Sequence, residues 1–139
     1  MAKGLTTLAR LTKWTVDQRR RTLGALLREL EDLETSRRGL DIELVQEQSV
    51  AADNPDEAGL LYGTYAEGYV NRRDIMDGSI RAKKAEIENA LEELNESYRE
   101  LKKYEVARDN RSRLELVEEV RHEQIELDDI GIETYRRKD

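Results

Sequence analysis

Glu119-x-x-His122 is the pattern in this chain that comes nearest to chemistry, because a glutamate and a histidine three apart share one face of a helix and can hold a metal. A di-iron site of that kind needs two such motifs and glutamates from two further helices, and His122 is the only histidine among 139 residues. We therefore read no metal site and no metal cofactor. The carboxylate pairs Glu92/Glu96 and Glu119/Glu123 have the spacing for acid and base work, but lysines and arginines stand at neighbouring turns, which describes a solvated, ion-paired helix face. Cysteine is absent, which removes thiol nucleophiles, disulfides and Cys-type zinc sites. No glycine-rich phosphate loop occurs, so nucleotide binding of that kind is not expected. The residues predict a protein that is not an enzyme and carries no cofactor.

The elements that would position any site are long helices. Charged residues make up 40% and hydrophobic residues 37% of the chain, phenylalanine is absent, and there is one proline. That balance suits helices burying a narrow seam, a rod more than a globule. The proline lies in Asn54-Pro55-Asp56-Glu57. Asn54 is a good N-cap, Pro55 suits a first helical position, and Glu57 stands where a capping-box carboxylate reaches back. The expected fold is all-α: one antiparallel two-helix coiled-coil hairpin over 1–139, with helix one at about 4–52, the turn at about 53–59 and helix two at about 60–130.

Apolar residues of the first helix recur at Val16, Leu23, Leu30 and Leu44, with Arg37 in the gap, and at Leu26, Leu33 and Leu40. This is the a/d alternation of a coiled coil. Gly24 and Gly39 fall off that seam. In the second helix Ile80, Ile87, Leu91, Leu94, Tyr98 and Leu101 take seam positions, and the phase then slips through Val106, Val117, Val120 and Leu127. Two pairings fit these series, with facing residues summing to about 110 or about 117; the second is favoured, since it leaves residues for the turn, sets Leu30 on Ile87, Leu26 on Leu91 and Leu23 on Leu94, and keeps Arg37 from facing Arg73. Helix one would run out opposite residue 112 or so, leaving the end of helix two projecting alone. Leu5, Leu8, Leu11 and Trp14 drift off the main seam as a second apolar stripe, either packing or a partner surface. Tyr62, Tyr65 and Tyr69 follow helical spacing beside Gly59, Gly63 and Gly68, and are expected to be partly exposed near the turn.

Net charge is −7, which disfavours a general nucleic-acid binder. The distribution is uneven. Met1 to Leu30 holds seven Lys/Arg against Asp17 and Glu29, a balance of +5, while Leu114 to Ile130 holds seven Asp/Glu against Arg121, a balance of −6. The longest run without charge, 58–66, is far short of the ~20 residues that span a bilayer, and the basic start lacks the apolar core of a signal peptide. A cytoplasmic protein without membrane insertion is expected.

Both ends resemble a known family. Leu8-Ala9-Arg10-Leu11-Thr12-Lys13-Trp14 followed by Asp17-Gln18-Arg19-Arg20 is similar to the start of the flagellar export protein FliJ family. Leu101-Lys102-Lys103-Tyr104-Glu105 and Arg121-His122-Glu123-Gln124-Ile125-Glu126-Leu127-Asp128-Asp129 resemble its closing stretches, with Asp129 where glutamate is frequent. The resemblance implies a non-catalytic stalk or adaptor of the flagellar type III protein export apparatus. Its implied partners are the hexameric export ATPase, the cytoplasmic domain of the membrane export gate and export chaperones. The implied state is a monomer held at the inner face of the cell membrane through that apparatus. On this reading Leu5, Leu8, Leu11, Trp14, Arg121, Glu123, Gln124 and Asp128 form or flank the ATPase-binding surface, and Tyr62, Tyr65 and Tyr69 carry the gate contact. A structural coiled-coil scaffold and a chaperone-like binder of export substrates are the alternatives.

Overall fold

The computed structural model describes residues 2–138, with the side chains of 3–54 and 61–137. Two helices account for it, α1 at Ala2–Asp53 and α2 at Pro55–Lys138. They form an antiparallel hairpin, packed against each other. Asn54 alone stands between them, and its N–H still donates to the carbonyl of Val50 at 3.2 Å, closing the last turn of α1. Proline at the first position of α2 has no N–H to leave unpaired, so the new helix starts there at no cost in hydrogen bonds. The turn is thus shorter than the expected 53–59, because this start signal outweighs the helix-weakening glycines that follow. The capping role read for Glu57 falls outside the described side chains. At its far end α2 passes the expected limit of 130 and reaches Lys138: no proline follows residue 55, and Gly131 is carried within the helix.

The chain divides into two compact units, one comprising 18–95 and the other 1–17 with 96–139. In the first, α1 turns Leu23, Leu26, Leu30, Leu33, Arg37, Leu40 and Leu44 inward, and α2 turns Tyr69, Arg73, Met76, Ile80, Lys83, Ile87, Ala90 and Leu94. Both sets alternate steps of three and four without interruption, as knobs-into-holes packing requires. Cross-helix ion pairs fix the register: Arg19 to Glu93 at 2.8 Å, Lys83 to Glu29 at 2.7 Å and Arg37 to Asp77 at 2.7 Å. Leu30 therefore comes level with Lys83, midway between Ile80 and Ile87, and Leu26 with Ile87. The expected stacking of Leu30 on Ile87, Leu26 on Leu91 and Leu23 on Leu94 is half a heptad off. Its source is identifiable, since Leu91 and Tyr98 are exposed while Ala90 and Ser97 are buried in their place. Small side chains let the helices approach closely, and a reading guided by bulk passes over them.

The same correction applies in the second unit. Its α1 seam is Leu5, Ala9, Thr12 and Val16, in phase with the rest of the helix, so Leu5 belongs to the packing and not to a drifting stripe. Ala9 and Val16 are buried, and the buried hydroxyl of Thr12 donates to the carbonyl of Leu8 at 2.8 Å, so that it enters the seam with its polar group satisfied. Ser97, Leu101 and Tyr104 of α2 face inward in this unit, and half-buried Arg108 ends the series. The expected slip after Tyr104 is a loss of partner: every residue of α2 from 109 to 137 is exposed. Among the described residues no helix is long and apolar enough to cross a membrane.

Candidate partner-binding surfaces

In the unit formed by 1–17 and 96–139, Leu8, Leu11 and Trp14 stand outside the packing, with Leu11 60% and Trp14 63% exposed. Their spacing of three keeps them on one side of α1 because the seam opposite is already filled by Leu5, Ala9, Thr12 and Val16. Exposed Lys3, Arg10 and Lys13 flank them on one side. A tryptophan and two leucines in water along a cationic helix make a surface suited to an apolar partner with acidic edges.

The exposed end of α2 is the second feature. Arg121, Glu123, Gln124 and Asp128 are all solvent-facing there. So are nine larger apolar residues, namely Leu114, Leu116, Val117, Val120, Ile125, Leu127, Ile130, Ile132 and Tyr135. The sequence reading marked Val117, Val120 and Leu127 and passed over the others; together the nine cover well over half of the circumference, and the remaining sector is charged, with Glu115, Glu118, Glu119, Glu126, Asp129 and Glu133. Leu116, Val120, Leu127 and Ile130 do share one side, a pattern that the a/d series of the paired helix hid. A single helix cannot bury such residues on itself, and an apolar helix without a packing partner is only marginally stable.

The groups that raised the prospect of chemistry are elsewhere in character. Glu119, His122 and Glu123 lie on the exposed arm, and Glu92 and Glu96 on the outer side of α2. Among the described residues no three His, Cys, Asp or Glu side chains are gathered as metal ligands.

Near the turn, the three tyrosines separate. Tyr62 and Tyr65 are half-buried, whereas Tyr69 is buried, contrary to its expected exposure, because it occupies a seam position. Arg72 lies over the ring of Tyr65 at 5.5 Å and Arg73 over that of Tyr69 at 5.8 Å. Among the described residues the buried Tyr65 hydroxyl has no hydrogen-bond partner. Tyr69 donates to Asp41 at 2.6 Å, and Asp41 also accepts from Arg37 at 2.6 Å. Arg37 reaches across to Asp77 as well, so one guanidinium holds two carboxylates beside the seam. The sequence reading took Arg37 as a gap in the apolar series and as a charge to be kept from facing Arg73, and did not see its carboxylate partners.

The Tyr69 hydroxyl, and after it the Arg37 guanidinium, hold the Asp41 carboxyl below its ordinary value of 3.8. Bonding to Asp41 raises Tyr69, and bonding to Glu29 raises Lys83. A depressed carboxylate stabilises the fold in full above its unfolded pKa and loses that contribution as pH falls through the folded one. A raised tyrosine or lysine contributes below its unfolded pKa and loses it as pH rises through the folded one. The stability difference between the wild type and Asp41→Asn, measured by urea unfolding, should be constant from about pH 5 to 9 and shrink as pH falls below about 4. A difference that persists undiminished at about pH 2 would mean that the Asp41 charge is not what the cluster uses.

No protein-family model, curated protein or solved structure matches the chain.

Proposed function

We infer that the chain is a non-catalytic stalk or adaptor of the flagellar type III protein export apparatus, and that it acts on the hexameric export ATPase through its exposed stripe and arm. The observation that carries this reading is the pairing, within one unit, of a cationic helix presenting Leu8, Leu11 and Trp14 with an acidic arm presenting exposed apolar residues over more than half of its circumference. Such an end leaves apolar surface that a partner, such as the inner wall of a ring, would cover. The resemblance of both ends to the FliJ family supports the same assignment. Catalysis would remain with the ATPase. The chain's part is mechanical: helices stiffened by a continuous seam carry contact from one partner to another without a pocket of their own.

The region around Tyr62 and Tyr65 is the contact we assign to the cytoplasmic domain of the membrane export gate. Tyr69 is left out, since its ring and hydroxyl are committed to the hairpin. Export chaperones are further partners on this reading, and the working state is a monomer in the cytoplasm at the inner face of the membrane.

The test is co-purification with the export ATPase and measurement of its ATP turnover with and without the chain. Binding and a change in turnover are expected, and Tyr62→Ala with Tyr65→Ala should weaken gate binding while leaving both intact. A chain that has no effect on turnover and sediments as a stable dimer at micromolar concentration would be a scaffold instead.

A further inference from the structure

Both seams of the 18–95 unit keep the three-four alternation throughout, so α2 displaced by one heptad along α1 would again present a seam residue at every level. With α2 advanced towards the turn, Leu33 would come level with Ile87 in place of Ile80, Leu26 with Leu94 in place of Ile87, and Leu40 with Ile80 in place of Arg73. Glu47 would meet Arg73. Within the 18–95 unit apolar matching is no poorer in that arrangement, so the hydrophobic effect does not choose between the two there, although the same shift sets Arg108 level with Thr12 and Arg111 level with Ala9 in the other unit.

The choice is made by polar groups. In the observed register Arg37 bonds Asp77 and Asp41, Asp41 bonds Tyr69, and Lys83 bonds Glu29, all at 2.6–2.7 Å. Displacement by a heptad, ~10 Å along the helix, parts Arg37 from Asp77 and brings it level with Lys83, cation against cation. The slack for such a movement lies at the start of α2, where Gly59, Gly63 and Gly68 follow a turn of one residue. The helix has its poorest ordinary formers there, and nothing packs against the side-chain positions of Gly63 and Gly68. Unwinding these turns supplies seven residues of chain.

We propose that the cluster of Arg37, Asp41, Tyr69 and Asp77 is a register catch. It holds this hairpin in one of two registers that satisfy the seam of the 18–95 unit, and its release lets α2 advance by a heptad at the expense of its glycine-bearing first turns. A partner that offered Arg37 a competing carboxylate would thereby move one helix along the other.

The chain has no cysteine, so introduced pairs report register cleanly. Leu33→Cys with Ile80→Cys reads the observed register in the full chain, and Leu33→Cys with Ile87→Cys reads the displaced one. Under mild oxidation the first pair should close and the second lag. Arg37→Leu should raise the ratio of the 33–87 to the 33–80 disulfide by roughly tenfold, the scale of losing charge-assisted bonds and a like-charge contact. Asp77→Asn, which keeps side-chain volume, should raise it by a smaller factor. If circular dichroism shows Arg37→Leu losing helix, Asp77→Asn decides. A ratio unchanged in the folded variants, or equal closure of both pairs in the wild type, overturns the catch.

Discussion

Leu8→Ala combined with Trp14→Ala is expected to abolish most binding to the export ATPase and the accompanying change in turnover, with the hairpin still folded. Both side chains are exposed, and the seam beneath them is closed by Ala9, Thr12 and Val16, so truncation leaves no cavity. Burying a leucine or tryptophan in a partner contributes about 1.5–3 kcal/mol, and losing two such anchors implies a drop in affinity of roughly a hundredfold or more. Charge pairs around them, being exposed, add about 1 kcal/mol or less each. Neutralising Lys3, Arg10 and Lys13 should therefore slow association and weaken its salt dependence more than it lowers affinity. Truncation after Leu114, which removes the exposed arm, should reproduce the loss of binding. Normal stimulation by both variants would remove the stripe and the arm from the interface. A loss of helix throughout the chain would place Leu8 and Trp14 in the core.

Leu94→Ala and Leu91→Ala should separate sharply in stability, although the two leucines are three residues apart and either fits an apolar series. Leu94 is 7% exposed and Leu91 45%. A buried leucine cut to alanine costs about 2–5 kcal/mol, and the lower part of that range applies in a seam only two helices deep. Leu91→Ala should stay within about 0.5 kcal/mol of the wild type, as surface changes do. Urea unfolding of both variants measures this. Equal losses would restore the pairing that sets Leu91 against Leu26 and would shift the register by half a heptad.

This contrast bears on what a chain of this composition tells its reader. Two long antiparallel helices were legible in the residues alone, because a single proline behind an asparagine, a charge-rich composition and steps of three and four leave few alternatives. The solitary end of α2 was legible too, from unequal arm lengths, whereas phase alone left the stripe open between packing and a free surface, and the structure assigns Leu5 to the one and Leu8, Leu11 and Trp14 to the other. The seam's continuation through Ala9, Thr12, Ala90 and Ser97 was not, since small and hydroxyl-bearing residues carry no periodic hydrophobic signal and become core only when a second helix lies close enough to cover them. Nor was the role of Tyr69, whose type and spacing match those of Tyr62 and Tyr65.

Register was the quantity left to the tertiary structure. Heptads repeat, so apolar pattern alone matches equally well at successive displacements, and bulk at Leu91 and Tyr98 pointed to one half a heptad away. Helix identity, direction and the amphipathic face are local properties of side-chain order, and the sequence by itself determined them. Which residue meets which across the seam depends on a few polar contacts between positions up to 74 apart, from Arg19–Glu93 to Arg37–Asp77 and Tyr69–Asp41. Such contacts require distance and orientation that exist only once the two helices are side by side, and there the structure alone decided.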